Sequence, residues 1–289
     1  MTAVSSRAAL DAEPGASARL ARLPWGLYAA IASTAVFALA AIAPQVLATH
    51  DPLAMDLDAA LLPPEAGHWL GTDEAGRDLY SRIVYGTAAS LGVGLGAAAV
   101  SLSLAVVLGA LAALGNRPVR AAAGWLLEVA FAFPALLLSL LLIAVLGPSA
   151  LTLVLAVGIG TAPGYARMVR GQILSAKGAP YVEAAVALGH SRGRILRQHI
   201  LPNAVRPLVA VFALSVGQSI VWASSLSFLG LGIAPPAPEW GALLDAGRQY
   251  ITVAGWLTVI PGLVIVVLAL TTTTLGQYIQ RFLEKGERS

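Results

Sequence analysis

The chain has 289 residues, of which 57% are hydrophobic and 11% charged, with a formal net charge of +3 and a mean hydropathy of +0.78. Soluble domains carry about a quarter charged residues, so this composition places the chain in the membrane class. The absence of cysteine excludes disulfides, thiolate nucleophiles and thiolate-held zinc.

In chain order, residues 1–22 are rich in Ala and Ser with scattered charge and are expected to form a disordered cytoplasmic tail. Arg19 and Arg22 before an apolar run suit the start of a signal peptide, but the run is long enough to span a bilayer. Six apolar runs follow inside a membrane domain expected over 23–283. They predict spans at about 25–47, 90–114, 121–146, 151–170, 204–226 and 255–277, with residues 284–289 as a second cytoplasmic tail. A hydrocarbon core of about 30 Å needs roughly 20 helical residues. Backbone in lipid must bond to itself, so the runs read as helices and the fold class as an all-α membrane protein with six transmembrane helices.

Direction follows from Lys and Arg. With both termini cytoplasmic, fifteen of the 18 cationic residues lie inside, and Arg77, Arg82 and Arg248 lie outside. That asymmetry is the positive-inside pattern of a multi-pass protein. Asp51, Asp56, Asp58, Glu65, Asp73, Glu74 and Asp78 all fall in the first outside loop. There, Asp78 and Arg82 are four apart and are expected to pair on a helix face.

Within the second run, GVGLGA (Gly92–Ala97) fits a loose dinucleotide-loop pattern. It sits mid-span with no strand before it, so Gly92 and Gly96 read instead as small residues that let two helices approach. In the third run Glu128 is the one intramembrane carboxylate; it is a candidate for the translocation path, or for pairing with Arg117 or Arg120 near the interface. The four histidines, His50, His68, His190 and His199, are scattered without metal-ligand spacing, and no metal site is expected.

The longest inside segment, about residues 171–203, carries good helix signals. Pro180 suits a first helical position, Glu183 the first turn, and Gly189 a C-terminal stop. Ser191 is expected to cap a second helix that Pro202 closes. The first helix, with Ala184, Ala185 and Ala187, has almost no bulk and is too short to be stable alone in water. It reads either as a thin rod for a partner's groove, with Arg192, Arg194 and Arg197 at the rim, or as a solvated connector with a basic, membrane-facing patch. In the fifth-to-sixth loop, Pro235 and Pro236 are rigid and Trp240 is expected to anchor at the headgroups.

The order Glu183-Ala184-Ala185, then Gly189, then Ile200-Leu201-Pro202 resembles the cytoplasmic EAA loop of ABC-importer permeases. His68–Leu91, Gly164–Leu174, Leu226–Leu244 and Gly255–Leu263 resemble, in register, the C-type permease of the dipeptide/oligopeptide/nickel family. The resemblance implies the type I ABC importer permease fold. It implies a coupling role for Tyr181, Glu183, Ala184, Ala185, Gly189, Arg192, Ile200 and Pro202, and a binding-protein contact region at Pro235, Pro236 and Trp240. The implied partners are a homologous second permease subunit, two ATP-binding subunits, an extracytoplasmic solute-binding protein and the lipid bilayer of a bacterial cytoplasmic membrane, with no nucleic acid.

No cofactor is expected in this chain. It contains no Gly-Lys dipeptide, so no G-x-x-x-x-G-K-[ST] loop, and ATP-Mg would be bound by the partners. The chain departs from its relatives at Trp222–Ser225, at Gly276-Gln277 and at Trp125 before Glu128, which leaves the solute open among dipeptides, oligopeptides, opines and metal chelates. The alternatives are a secondary transporter or channel acting alone, which a missing Asp/Glu/His relay disfavours, and a membrane enzyme, for which no paired acid/base or nucleophile is present.

Overall fold

The computed structural model describes residues 25–285; residues 1–22 and 286–289 of the expected tails lie outside the described residues. Helix dominates, and the isolated bridge Thr72–Asp78 is the β feature among the described residues. Helix α1 (Trp25–Ile42) is followed by the short α2 (Pro44–Leu47), a 3-10 turn at Leu57–Ala59 and the 36-residue α3 (Leu79–Leu114). Helix α3 begins well before the expected span at 90 because Asp78 caps it, accepting from Ser81 N at 2.8 Å. The polar turns RDLYSR thus extend the membrane helix rather than forming a separate loop.

The run expected as one span at 121–146 is two helices, α4 (Arg117–Ala132) and α5 (Ala135–Leu146), bent by 91°. Pro134 is the cause. It holds Phe133 extended, at φ −82° and ψ 132°, and removes a backbone donor. Helix α6 (Ala150–Lys177) starts on a Ser149 cap and continues past the end expected near 170. Then come α7 (Pro180–Ala187) and α8 (Arg192–Ile195), a π turn at Leu196–Ile200, and α9 (Leu201–Leu226), which ends in a second π turn at Ser227–Leu231. Helices α10 (Trp240–Arg248) and α11 (Trp256–Lys285) complete the described residues.

Pro202 does not close a helix, as the sequence suggested; α8, the π turn and α9 run on through it. The wider turn absorbs the defect: Leu201 N bonds to Leu196 O, five residues back, just before the residue that has no N–H to give.

Among the described residues five helices are long and apolar enough to cross a membrane, and six spans result if the bent α4–α5 pair counts as one. Helix α3 packs along α6 and also touches α9, which in turn lies along α11. Between membrane helices close packing replaces the hydrophobic drive, so small residues line the seams. Ala97, Ala98 and Ala105 are fully buried, and a Cβ on Gly94 would lie 2.1 Å from Ile220 Cγ1. Of the two glycines expected at a crossing, Gly96 lies close to α6, where a Cβ would be 3.2 Å from Val154 Cγ1, whereas Gly92 meets nothing within 4 Å and Gly94 instead makes the approach to α9. Two residues turn about 200° round a helix, so Gly92 faces away from the seam with α9.

Among the described residues the buried side chains form three clusters. One joins α3, α4 and α6 to α7 and the start of α9 through Leu127, Val169, Val182, Ile195 and Leu208. The second, around Leu79, Ile83, Trp240, Leu257 and Ile265, holds the loop end of α3 to α10 and α11. The third packs α5, α6 and the end of α9 through Ile143, Val157 and Leu226.

Candidate functional site

The interrupting segment of the sequence becomes a short, separately presented helix. Pro180 stands at the start of α7, and Glu183 lies in the first turn, where the positive end of the helix dipole favours a carboxylate. The C-terminus is a Schellman stop: Gly189 N bonds to Val186 O at 3.0 Å and His190 N to Ala185 O at 3.1 Å. Gly189 has φ +76°, the left-handed conformation that glycine adopts without strain. Ser191 then caps α8, accepting from Arg194 N at 3.4 Å.

Only one face of α7 is tied to the protein. Val182 and Ala185 are buried against the cluster that includes Ile173, Ile195 and Ile200. Asn203 bonds both to Tyr181 Oη at 3.2 Å and to His199 O at 2.7 Å, linking α7 to the start of α9. The His199 ring lies between those of Tyr181 and His190, with centroids at 6.3 and 6.0 Å.

The other face is bare. Glu183, Ala184, Val186, Ala187 and Leu188 are exposed, Leu188 by 77%. Of the positions named from the sequence, Tyr181, Glu183, Ala184, Gly189, Arg192 and Pro202 are therefore at the surface, whereas Ala185 and Ile200 are buried and act as anchors for the helix. A recess of about 680 Å³ beside α7 is lined by Lys177, Val182, Glu183, Val186, Arg192 and Leu196, among others. Glu183 has no ion pair among the described residues, so this rim presents an unpaired acid beside the unpaired bases Lys177 and Arg192.

A second recess, of about 530 Å³, opens where α4 breaks into α5. Phe131, Phe133, Tyr165, Met168, Gln218 and Trp222 line it, and Tyr165 Oη donates to Gln218 Oε1 at 2.8 Å. Arg167 lies 3.8 Å over the Phe131 ring. Sequence reading missed this constellation. Its signals were Pro134 inside an apolar run and the lone amide Gln218 in another. Glu128, the candidate that sequence did single out, is exposed on α4, lies outside this recess and pairs with neither Arg117 nor Arg120.

The opposite end of the fold holds the first loop and the segment 232–240. Asp73 organises the GTDEAGRD stretch. It accepts from Ala75 N at 2.9 Å, Arg77 N at 3.0 Å and Arg77 Nε at 2.8 Å, and lies 3.4 Å from Arg82 NH1. The expected Asp78–Arg82 pair does not form. Asp78 is occupied as the cap of α3 and by His68, while Arg82 turns to Asp73 and to Pro236 O at 3.4 Å. Burial pushes the Asp78 carboxyl up; hydrogen bonds from Ser81 N, His68 and the Ser81 hydroxyl, with the charge of His50, outweigh it and hold it below the usual carboxylate range.

Trp240 is a further correction. Expected at the headgroups and in a contact region, it is fully buried, with its N–H bonded to Ser90 Oγ at 3.0 Å and its indole Nε1 to Ile83 O at 3.0 Å. Pro235 and Pro236 are exposed, and Pro236 lines a cavity of about 910 Å³ with Thr49, His50, Asp51, Tyr85 and Pro238.

Residues 105–288 match the family model described as "Binding-protein-dependent transport system inner membrane component". The chain is 39% identical over 238 residues to the probable D,D-dipeptide transport system permease protein DdpC of Escherichia coli, covering 82% of this chain and 80% of that one. It is 37% identical over 241 residues to the glutathione transport system permease protein GsiD of Pectobacterium atrosepticum, covering 81% and 78%. It is also 37% identical over 226 residues to the dipeptide transport system permease protein DppC of Alkalihalophilus pseudofirmus, covering 78% and 74%. Among solved structures, an amino acid ABC transporter matches with a TM-score of 0.58 at 18% identity, over 69% of this chain and 93% of that one. The MetNI methionine ABC transporter in an inward-facing conformation matches with a TM-score of 0.57 at 18% identity, over 70% and 96%. Those two share the type I importer permease fold with it. The bent helix pair, the one-faced helix α7 and the matches over most of its length lead to one conclusion: this chain belongs to the family of inner membrane permease components of binding-protein-dependent ABC importers, and it is a transport subunit rather than an enzyme.

Proposed function

We propose that this chain is one half of the membrane pathway of an ATP-driven importer for peptides or similar small solutes, and that α7 transmits the work. The solute class rests on the relatives, which are dipeptide, D,D-dipeptide and glutathione permeases by name. The partners are a homologous second permease subunit, two ATP-binding subunits that hold ATP-Mg, and an extracytoplasmic binding protein.

The observation that carries this reading is the two-faced character of α7. Val182 and Ala185 lock it to the core that also holds α3, α4, α6 and α9, so a displacement of α7 is a displacement of the bundle. Its other face offers a thin apolar surface, Ala184, Val186, Ala187 and Leu188, with Glu183 as the acid. A two-turn helix with an exposed apolar face is stable when seated in a groove. With both termini cytoplasmic, α7 faces the ATPases and the segment 232–240 faces the binding protein. ATP closes the ATPase pair, the two coupling helices move together, the halves tilt and the path opens outward. Hydrolysis reverses the tilt. The aromatic recess at Phe133, Tyr165, Gln218 and Trp222 is the natural wall of that path, since it combines apolar rings with one amide–phenol pair.

The test is reconstitution of this chain with its partner subunits in proteoliposomes, with ATP-dependent peptide uptake as the readout. Engineered cysteines at Ala184 and on the ATPase surface should cross-link in the assembled complex and block turnover. Uptake that continues with α7 fully accessible to a membrane-impermeant thiol reagent through the cycle would overturn the reading.

A further inference from the structure

The sequence offers no metal-ligand spacing, yet the fold gathers three ligand-type side chains at the loop end of α3. His50 Nδ1 lies 3.8 Å from Asp78 Oδ2, and His68 Nδ1 lies 3.0 Å from Asp78 Oδ1. The two imidazole rings are 4.8 Å apart at 32° to each other, and one ligand atom from each residue falls within 4.8 Å of the other two. His68 thus bonds the carboxylate directly, while His50 Nδ1 faces it at longer range and bonds the Thr49 hydroxyl at 2.9 Å, a contact that an ion would replace.

The arrangement is held from behind. Ser81 Oγ accepts from Thr49 N at 3.2 Å and from His50 N at 3.0 Å, which pins the backbone carrying His50 over the first turn of α3. Ser81 N in turn donates to Asp78. Exposure is graded: the side chain of Asp78 is 1% exposed, that of His68 20% and that of His50 43%. The nearby cations do not compete for Asp78, because Arg77 and Arg82 are turned to Asp73. The positive end of α3 acts against a cation, and Asp78, which caps that end, screens it.

We propose that His50, His68 and Asp78 form a binding site for a first-row divalent transition ion of the Zn²⁺ or Ni²⁺ class. Imidazole and carboxylate donors suit such ions. Metal–ligand bonds of about 2.0–2.2 Å in a tetrahedral set place the ligand atoms roughly 3.4 Å apart. His68 Nδ1 already stands 3.0 Å from one Asp78 oxygen, while His50 Nδ1 is 3.8 Å from the other and the three ligand atoms spread over as much as 4.8 Å, so the set must draw in on the ion. The ion takes the place of the hydrogen between His68 Nδ1 and Asp78 Oδ1, and His68 carries its N–H on Nε2 instead. The half-exposed His50 closes the third side by a small side-chain rotation. The fourth position opens on the 910 Å³ cavity, which Thr49 and His50 line, and takes water or a small donor ligand from it. A bound ion ties residues 48–53, the turn at His68 and the start of α3 into one unit. This inference stands on the local geometry and does not depend on the solute or on the direction of transport.

The experiment uses the full chain, purified without a histidine tag, in lipid nanodiscs, titrated with Zn²⁺ by calorimetry and with Co²⁺ by visible absorption. The expected result is one saturable ion per chain, the ligand-field bands of a low-coordinate Co²⁺ site, and a Tm that rises with Zn²⁺. His50→Ala and His50→Gln, which change a half-exposed side chain, should each weaken binding by about a hundredfold or more, beyond the 10–100-fold usual for an outer-shell loss, and abolish the Zn²⁺-dependent rise in Tm. The double variant His190→Ala/His199→Ala should bind as the parent does. The proposal is overturned if no ion saturates, if binding is unchanged in both His50 variants, or if it disappears with His190 and His199.

Discussion

Ser90 and Trp240 meet across the fold: the backbone N–H of Trp240 donates to Ser90 Oγ at 3.0 Å, and the Ser90 hydroxyl lies 3.4 Å from Glu239 Oε1. Glu239 also caps α10, accepting from Gly241 N at 2.9 Å and Ala242 N at 3.0 Å. The segment 232–240 is thereby bolted to the interior of α3. Trp240→Ala removes a fully buried ring and its bond to Ile83 O, and should destabilise the purified chain by about 3–5 kcal/mol in thermal unfolding. Ser90→Ala leaves Trp240 N without its partner and should cost about 1–3 kcal/mol. A change below 0.5 kcal/mol in both would refute the bolt.

Helix α7 separates a docking role from a folding role. Glu183→Lys alters one exposed side chain, so membrane insertion and Tm should stay near the parent values while ATP-dependent uptake falls by at least tenfold. The measurement is uptake per correctly inserted complex.

Gly189 tests the stop itself. Gly189→Val forces a β-branched residue to φ +76°, at a cost of about 1–2 kcal/mol, and should uncouple transport. Gly189→Asn, which tolerates that conformation, should retain most activity. Open space around the position means that bulk is not the obstacle. Equal loss in both variants would point to a steric role instead.

Asp78 should leave an acid signature. Its carboxyl titrates below the usual value near pH 4. The ionised form is bound more strongly in the folded chain, so its stabilisation is fully present above about pH 4 and is lost as pH falls through the lower folded value. Asp78→Asn keeps a cap for α3 but has no carboxyl to protonate. Thermal unfolding from neutral pH down to about pH 3 should show a steeper loss of Tm in the parent than in Asp78→Asn.

The pair Tyr165–Gln218 lines the second recess, and its bond is partly open to solvent. Tyr165→Phe should lower Tm by about 1–6 °C at most, since the hydrogen bond contributes about 0.5–1.5 kcal/mol and each kcal/mol shifts Tm by about 2–4 °C in a chain of this size. If the recess is part of the path, Gln218→Leu should raise the apparent KM for solute while the basal ATPase rate of the complex stays unchanged. An unchanged KM would remove the recess from the path.

Much of the outline was legible in the chain because hydropathy and helix punctuation are local. Pro180, Glu183, Gly189 and Ser191 announced α7 and its stop, since each acts on backbone groups within one turn of itself. Pro134 passed unread inside a run taken as one span, because hydropathy continues across it; the 91° bend is a matter of how the flanking helices pack. Pro202 misled in the opposite sense: its missing donor was absorbed by a π turn that Leu196 and Leu201 close. Glu128 drew attention as a lone acid, and Gln218 did not, because polarity along a sequence says nothing about which side of a helix faces a recess.

By itself, then, the order of residues determined a helical membrane protein, its apolar runs, its basic interruption and the family to which its motifs belong. Tertiary structure alone decided that Trp240 is core rather than anchor, that Gly94 and Gly96 but not Gly92 lie at close crossings, that Arg82 turns to Asp73, and that His50 and His68 converge on Asp78. The division has one physical reason. Desolvation and backbone bonding are set within a few residues, whereas contacts between side chains depend on the rotation and crossing of helices that the whole packed bundle fixes together.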